Sequence, residues 1–197
     1  IQSAFNLSLA ASSATGTLNL VGLNLTQTGA ITTGGNTTLS AADITLSNAA
    51  NSFGGTVTFT GANVALRDGT PLVVAASTAT GTLTLTSGGA ITQTGALGAV
   101  GNATFTGTDI TLNNAANAFG GTVGFTGANV AMTDSTALSL AAGTATGNLV
   151  LNSGGAVTQS GALTVGGTTA VTATGADITL TNAANSLAGD RGADFAI

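Results

Sequence analysis

Three near-copies of one block run through this 197-residue chain. ATGTL at 14–18 returns as ATGTL at 79–83 and ATGNL at 145–149, and QTGA at 27–30 returns as QTGA at 93–96 and QSGA at 159–162. The longest match sets ITLSNAANSFGGTVTFTGANVAL at 44–66 against ITLNNAANAFGGTVGFTGANVAM at 110–132, and a third copy, ITLTNAANSLAG, starts at Ile178. The period is about 66 residues. A fixed period marks a chain built by stacking supersecondary units, none of which can bury its apolar face alone.

Each copy subdivides. An apolar residue followed by an alternating pattern recurs at Leu25, Ile44, Val64, Ile91, Ile110, Val130, Val157 and Ile178, with spacings of 19, 20, 27, 19, 20, 27 and 21. Units of roughly 22 residues are too short for helix pairs and match one coil of a β-solenoid, so roughly nine coils are expected. Segments such as TVTFTG (56–61), TLTLTS (82–87), ATFTG (103–107) and DITL (109–112) alternate with period 2 and are rich in Thr, Val and Ile, the pattern of half-buried strands. No amphipathic helical stripe survives the Gly, Thr and Asn in every window, so almost no helix is expected.

A triangular coil is predicted, with TVTFTG-like segments on one side, NVAL or DITL on the second and short segments such as ALSLAA (137–142) on the third. Equivalent residues would then stack coil on coil. One ladder would hold Leu39, Phe59, Leu85, Phe105, Phe125 and Leu151, and another Leu25, Ile44, Val64, Ile91, Ile110, Val130, Val157 and Ile178. Glycine pairs at 34–35, 54–55, 88–89, 120–121, 154–155 and 166–167 are expected to supply corners of positive φ. At about 4.8 Å per coil the rod would be about 40–45 Å long. The reading is one β-solenoid domain over 1–197, with repeats at about 14–78, 79–144 and 145–189 and a divergent tail, 190–197.

The side-chain inventory narrows function. Charged residues are 5% of the chain: seven Asp, two Arg, and no Glu, Lys or His; Cys, Tyr and Trp are also missing. A catalytic triad, a thiol nucleophile, a Schiff-base lysine, a thiolate zinc site and an imidazole base are therefore excluded by composition, and no enzyme activity is expected. The formal net charge of −5 removes the electrostatic term that drives nucleic-acid binding. No apolar run approaches the roughly 20 residues of a spanning helix. The opening IQSAFNLSLA has neither a basic nor a continuous apolar segment, so it does not read as a signal peptide, and the chain is expected to be excised from something longer.

The remaining polar motifs read as structural. Asp43, Asp109 and Asp177 open equivalent strands, as do Asn63 and Asn129 one coil later, which points to Asx turns. Carboxyls three coils apart are about 14 Å from each other, too far for a glycosidase pair. Asp68 and Asp134 form a second pair under the same objection, and Arg67 beside Asp68 in RDGT reads as a solvated corner. Asn48 with Asn51, Asn114 with Asn117, and Asn182 with Asn185 mark the NAAN corners, where Asn tolerates the left-handed conformation and satisfies turn backbone; Phe53 and Phe119 follow as packing residues. Neither the calcium β-roll nonapeptide nor EF-hand spacing is present, and no glycine string sits between a strand and a helix as a dinucleotide site requires. No catalytic, cofactor or metal site is expected.

ITQTGAL (91–97), the NAAN corners, FGGTVTFTGANVAL (53–66) and ADITLTNAANS (176–186) resemble the repeat region of large bacterial exoproteins of the filamentous-haemagglutinin-like, two-partner-secretion type. The resemblance covers nearly all of 14–189. It implies a right-handed parallel β-helix at the cell surface, acting as an adhesin shaft or spacer, with neighbouring segments of a longer exoprotein as partners, and it brings no catalytic residues. The secretion-domain NPNL-type motifs are missing, since the only Pro is Pro71. Open solenoid ends expose unpaired strands, so end-to-end self-association into a fibre is a further expectation. The alternatives are an ice-binding β-helix, suggested by TxT units such as Thr56-Val57-Thr58, and a glycan-binding or glycan-processing one, for which Arg67 and Arg191 are too few and too far apart.

Overall fold

The structure, a computed structural model, describes residues 1–188; the divergent tail at 190–197 lies outside the described residues. Within that span every helix or strand element is a β-strand, and the strands join in parallel ladders into two twelve-stranded sheets and one three-stranded sheet. The twelve-stranded sheets, I and II, face each other across one apolar core. Sheet I starts at Leu7–Leu9, sheet II contains Leu18–Val21, and the small sheet III is Ser12–Ala14, Ile31–Thr33 and Ser52–Phe53. The chain is a parallel β-solenoid, as its repeat predicts.

The coils are shorter than the period suggested. Leu25 pairs with Ile44, Ile44 with Val64, Val64 with Leu83 and Leu83 with Ala103, so these coils take 19 or 20 residues rather than about 22, others run from 17 (Val57 to Val74) to 22 (Thr164 to Ser186), and the main path of sheet I has ten strands. Alternation along each strand turns every second side chain inward. Leu20, Leu39 and Phe59 stack on sheet II and Leu85, Phe105 and Phe125 on sheet I, with Phe59 and Phe105 fully buried.

Those two ladders are where the sequence reading needs correction. It joined them into one, because the residues are equivalent between repeats, yet they lie on opposite sheets. The second ladder is divided in the same way: Leu25, Ile44 and Val64 are on sheet I, Ile91, Ile110 and Val130 on sheet II, and Val157 and Ile178 on sheet I again. The cause is arithmetical. The first repeat has ten strands, from Leu7–Leu9 to Asn63–Asp68, on a three-sided path, and the next ten run from Leu72–Val74 to Val130–Asp134. Three coils use nine strands, and the tenth carries the chain one side further, so each repeat starts on the face opposite its predecessor.

At the boundary one strand covers two. Thr56–Gly61 pairs through Val57 with Val74 and through Thr60 with Thr78, thereby seating both Leu72–Val74 and Ser77–Ala79. At the next boundary Thr122–Gly127 lies against a single long strand, Leu138–Ala145, with a register shift between Val123 and Phe125. ALSLAA is thus part of this long strand rather than a short third side. Here Phe125 stands opposite Gly143, where an added Cβ would lie 2.6 Å from Cε1 of the ring. Gly143→Ala is expected to cost about 1–3 kcal/mol through overpacking. Phe125→Leu in the same chain should recover part of that loss in urea unfolding; equal losses with and without Phe125→Leu would contradict the assignment.

The corner glycines also have a different cause from the expected one. Of the described residues only Gly175 has positive φ, at 65°, and none of the paired glycines does. They are needed because coils stack closely at the corners: a Cβ on Gly54 would sit 2.6 Å from the Thr33 carbonyl oxygen one coil away.

Candidate functional site: the polar cores of the repeat boundaries

The side chains that depart furthest from a plain apolar solenoid are buried at the boundaries. Asp68 and Asp134 are 0% and 1% exposed. Each ends the tenth strand of its repeat, where sheet pairing on one side must stop and the stopping strand has main-chain N–H groups left to satisfy. The Phe53 amide donates to Asp68 Oδ2 at 3.3 Å, and the Thr70 amide and hydroxyl donate to Oδ1 at 2.9 and 2.7 Å. Asp134 repeats this with Phe119 at 3.3 Å and Thr136 at 3.0 Å from both groups. Ser87 and Ser153 brace the same corners by donating to the carbonyls of Thr70 and Thr136 at 2.8 and 2.7 Å. Arg67 is exposed, as its solvated reading requires, but its neighbour Asp68 is interior.

Burial pushes the Asp68 carboxyl above the ordinary aspartate value, against the opposing pull of the hydrogen bonds from Thr70 and Phe53. A group whose folded pKa is raised contributes stability that is full below its unfolded pKa and is lost as pH rises through the folded one. Wild-type stability should therefore carry a component that declines as pH leaves the acid range. Asp68→Asn, whose amide oxygen still accepts from Thr70, should flatten the urea midpoint between about pH 4 and 7 relative to wild type. Parallel profiles would contradict this.

A second polar core lies beside the first, in the turn that precedes Ser52–Phe53. Asn51 is 1% exposed and forms a reciprocal amide pair with Gln27: Nδ2 donates to Gln27 Oε1 at 2.9 Å, and Gln27 Nε2 donates to Asn51 Oδ1 at 2.8 Å. Oδ1 also accepts from the Ile31 amide at 2.9 Å, while Nδ2 reaches the carbonyls of Leu46 and Arg67 at 3.1 and 3.0 Å. Asn117, 0% exposed, does the same with Gln93, the Leu97 amide and the carbonyls of Leu112 and Thr133. Asn185 pairs with Gln159, Leu163 and Leu180. The NAAN segments are turns, with the Asn51 amide on the Asn48 carbonyl at 3.2 Å and the Ala50 amide on Asn48 Oδ1 at 2.9 Å. The second Asn is there for its side-chain amide rather than for a left-handed backbone, since no described non-glycine residue has positive φ. Phe53 and Phe119 pack in the core beside these turns.

Gln27, Gln93 and Gln159 were not singled out in the sequence, although QTG, QTG and QSG recur at the repeat period and two amides 24 or 26 residues apart span one coil.

The exposed Asx residues form ladders along the corners. Asn24 Nδ2 donates to Asn6 Oδ1, Asn63 Nδ2 to Asp43 Oδ1 and the Thr82 hydroxyl to Asn63 Oδ1, at 2.8–2.9 Å. Asn129 Nδ2 donates to Asp109 Oδ1 at 3.0 Å on the corner entering sheet II. Asp43 and Asp109 thus belong to ladders on different sheets, and Asp177 is exposed beside Ile178 on sheet I. The Asp43 and Asp109 carboxylates are rungs of these corner ladders, each also accepting from the main-chain amide of the Asn one coil on. Among the described residues there is no group of three or more Asp side chains able to hold a metal ion, and no helix long and apolar enough to cross a membrane.

A family model described as repeats of unknown function (DUF5649) matches the chain three times, over residues 1–60, 61–126 and 127–193. No curated protein and no solved structure matches it.

Proposed function

Because the chain belongs to the DUF5649 family of repeats, its own geometry must indicate its role, and we propose a structural one: a β-solenoid segment of a bacterial surface protein, exported and serving as an adhesin shaft or spacer, without catalysis. The observation that carries this reading is the unbroken apolar core from Leu9 to Ala173, closed coil by coil through main-chain ladders and crossed at each repeat by the Asp and Asn clusters. Such a body adds length by the same increment with each repeat.

Other features support the same role. The buried carboxylates spend their acceptor capacity on main-chain amides and a threonine hydroxyl, which is a holding function. One outward row of sheet I is threonine over five coils, Thr86, Thr106, Thr126, Thr144 and Thr164, but over the same coils its companion row holds threonine only at Thr84 and Thr104, flanked by Ala65 and Gly124, so the paired threonine array that ice binding uses is two coils long. The resemblance to filamentous-haemagglutinin-like exoprotein repeats supplies the cell-surface setting and the neighbouring shaft segments as partners. Self-association end to end follows from open strand edges.

Antibodies raised against the purified chain and applied to intact cells producing its parent protein test the proposal. Labelling of unpermeabilised cells, at a distance from the membrane that shrinks by about 16 Å for each 66-residue repeat deleted, is expected for a shaft. Labelling that requires permeabilisation, or a distance that ignores repeat number, would overturn it.

A further inference from the structure

At the first repeat boundary an exposed hydroxyl is joined to a buried carboxylate. Thr70 is exposed, yet its polar groups are held at three points. Its amide and hydroxyl donate to Asp68 Oδ1 at 2.9 and 2.7 Å, and its carbonyl accepts from the Ser87 hydroxyl at 2.8 Å. Pro71 follows directly, which confines Thr70 to extended backbone. The hydroxyl hydrogen is thus committed to Asp68, and the oxygen lone pairs are left for another group.

Beside this hydroxyl lies a cavity of about 470 Å³, with Thr70, Gly54, Gly55, Pro71 and Val73 among its walls. It sits inside the rod, between the coils of residues 36–73, where the chain passes from Asp68 on sheet I to Leu72 on sheet II without adding a fourth strand to sheet III. No charged residue lines it. Arg67 alternates with Asp68 along Asn63–Asp68 and so faces the other way.

We infer that Thr70 is an acyl-acceptor site, with Asp68 as its base and the cavity as the seat of a neutral activated ester. Thr70 Oγ forms the new bond to the acyl carbon, the bond to the leaving oxygen breaks with its electron pair, and the Oγ proton passes to Asp68 and on to that oxygen. A neutral donor is favoured over a phosphoryl donor, because the carboxylate repels an anion and no cation lines the cavity to offset it. Burial raises the Asp68 carboxyl, which strengthens it as a base. Each chain reacts once, so the event is a covalent modification of a rod that turns nothing over. The inference needs the boundary geometry alone and stands apart from the cell-surface reading.

The probe is para-nitrophenyl acetate, incubated with the whole 197-residue chain and followed by peptide mass spectrometry. Background is narrow: the chain has no Lys, Cys, His or Tyr, and its α-amino group forms an amide that hydroxylamine leaves intact. A hydroxylamine-labile acetyl at Thr70 is expected, formed about tenfold or more faster than at Thr84 or Thr104, exposed threonines of sheet I. Asp68→Asn keeps the hydrogen-bond acceptor and removes the base, and should slow Thr70 about 100-fold. Thr70→Ser should retain the labile acetyl. Absence of a labile acetyl, equal rates at Thr70, Thr84 and Thr104, or a Thr70 rate unchanged by Asp68→Asn overturns the proposal. If Asp68→Asn does not fold, the comparison of threonines within the wild-type chain decides it.

Discussion

Asn117→Ala should lower unfolding stability by about 4 kcal/mol, because each buried partner left without its bond costs roughly 1–3 kcal/mol. The deletion strands the Leu97 amide and the carbonyls of Leu112 and Thr133, and leaves the Gln93 amide with only the Gly95 carbonyl and the Asn114 amide as partners. No water-filled route serves the group, as Asn117 is 0% exposed. Gln93→Ala removes one arm of the same network, so the double variant should lose much less than the sum of the singles. The matched change at Asn185, which is half-buried, should cost less than half as much. Urea midpoints for the four chains give the comparison, and additive losses would show that the amides act separately.

Phe105→Ala is expected to cost about 3–5 kcal/mol, the range for removing a fully buried aromatic ring. Phe105 is stacked between Leu85 and Phe125 on sheet I and meets Phe119 from the opposite side, with ring centroids 5.6 Å apart and planes at 63°. It therefore joins two sides of one coil in the middle of the rod. In a stack where each coil contacts only its neighbours, a weak coil uncouples the parts on either side. Unfolding should change from one transition to two, with hydrogen exchange accelerated first around residues 97–125. A single transition with uniformly faster exchange would contradict this role for the ring.

The repeat made the all-β solenoid legible, since period-2 alternation and a short unit leave few other stacks. Leu25, Ile44 and Val64 are inward and in register, as their spacing of 19 and 20 implies. What stayed hidden is the change of face between repeats. Spacing shows which residues are equivalent, whereas stacking depends on how many strands fit between them, and Phe59 with Phe125 are equivalent in pattern but lie on different sheets. The break of 27 between Val64 and Ile91 is the trace of it in the sequence. Asp68 was legible as a repeated residue and illegible as a buried one, because its burial comes from a boundary between faces. The glycines were assigned to the right corners for the wrong reason: the constraint is the coil beneath, visible only once coils are stacked.

The central claim is that successive repeats exchange sheets, and one oxidation experiment tests it directly. The chain has no cysteine, so introduced pairs report without background. Thr126 is in register with Thr144 on adjacent strands of sheet I, a separation of about 4.8 Å that a disulfide can span. Asn152, beside Leu151, would be its neighbour if equivalent residues stacked on a constant face, but it is paired with Thr133 on sheet II. Mass spectrometry after mild oxidation should find a disulfide in the Thr126→Cys, Thr144→Cys chain and free thiols in the Thr126→Cys, Asn152→Cys chain. The opposite result would mean that the repeats keep their faces and that this account of the boundaries is wrong.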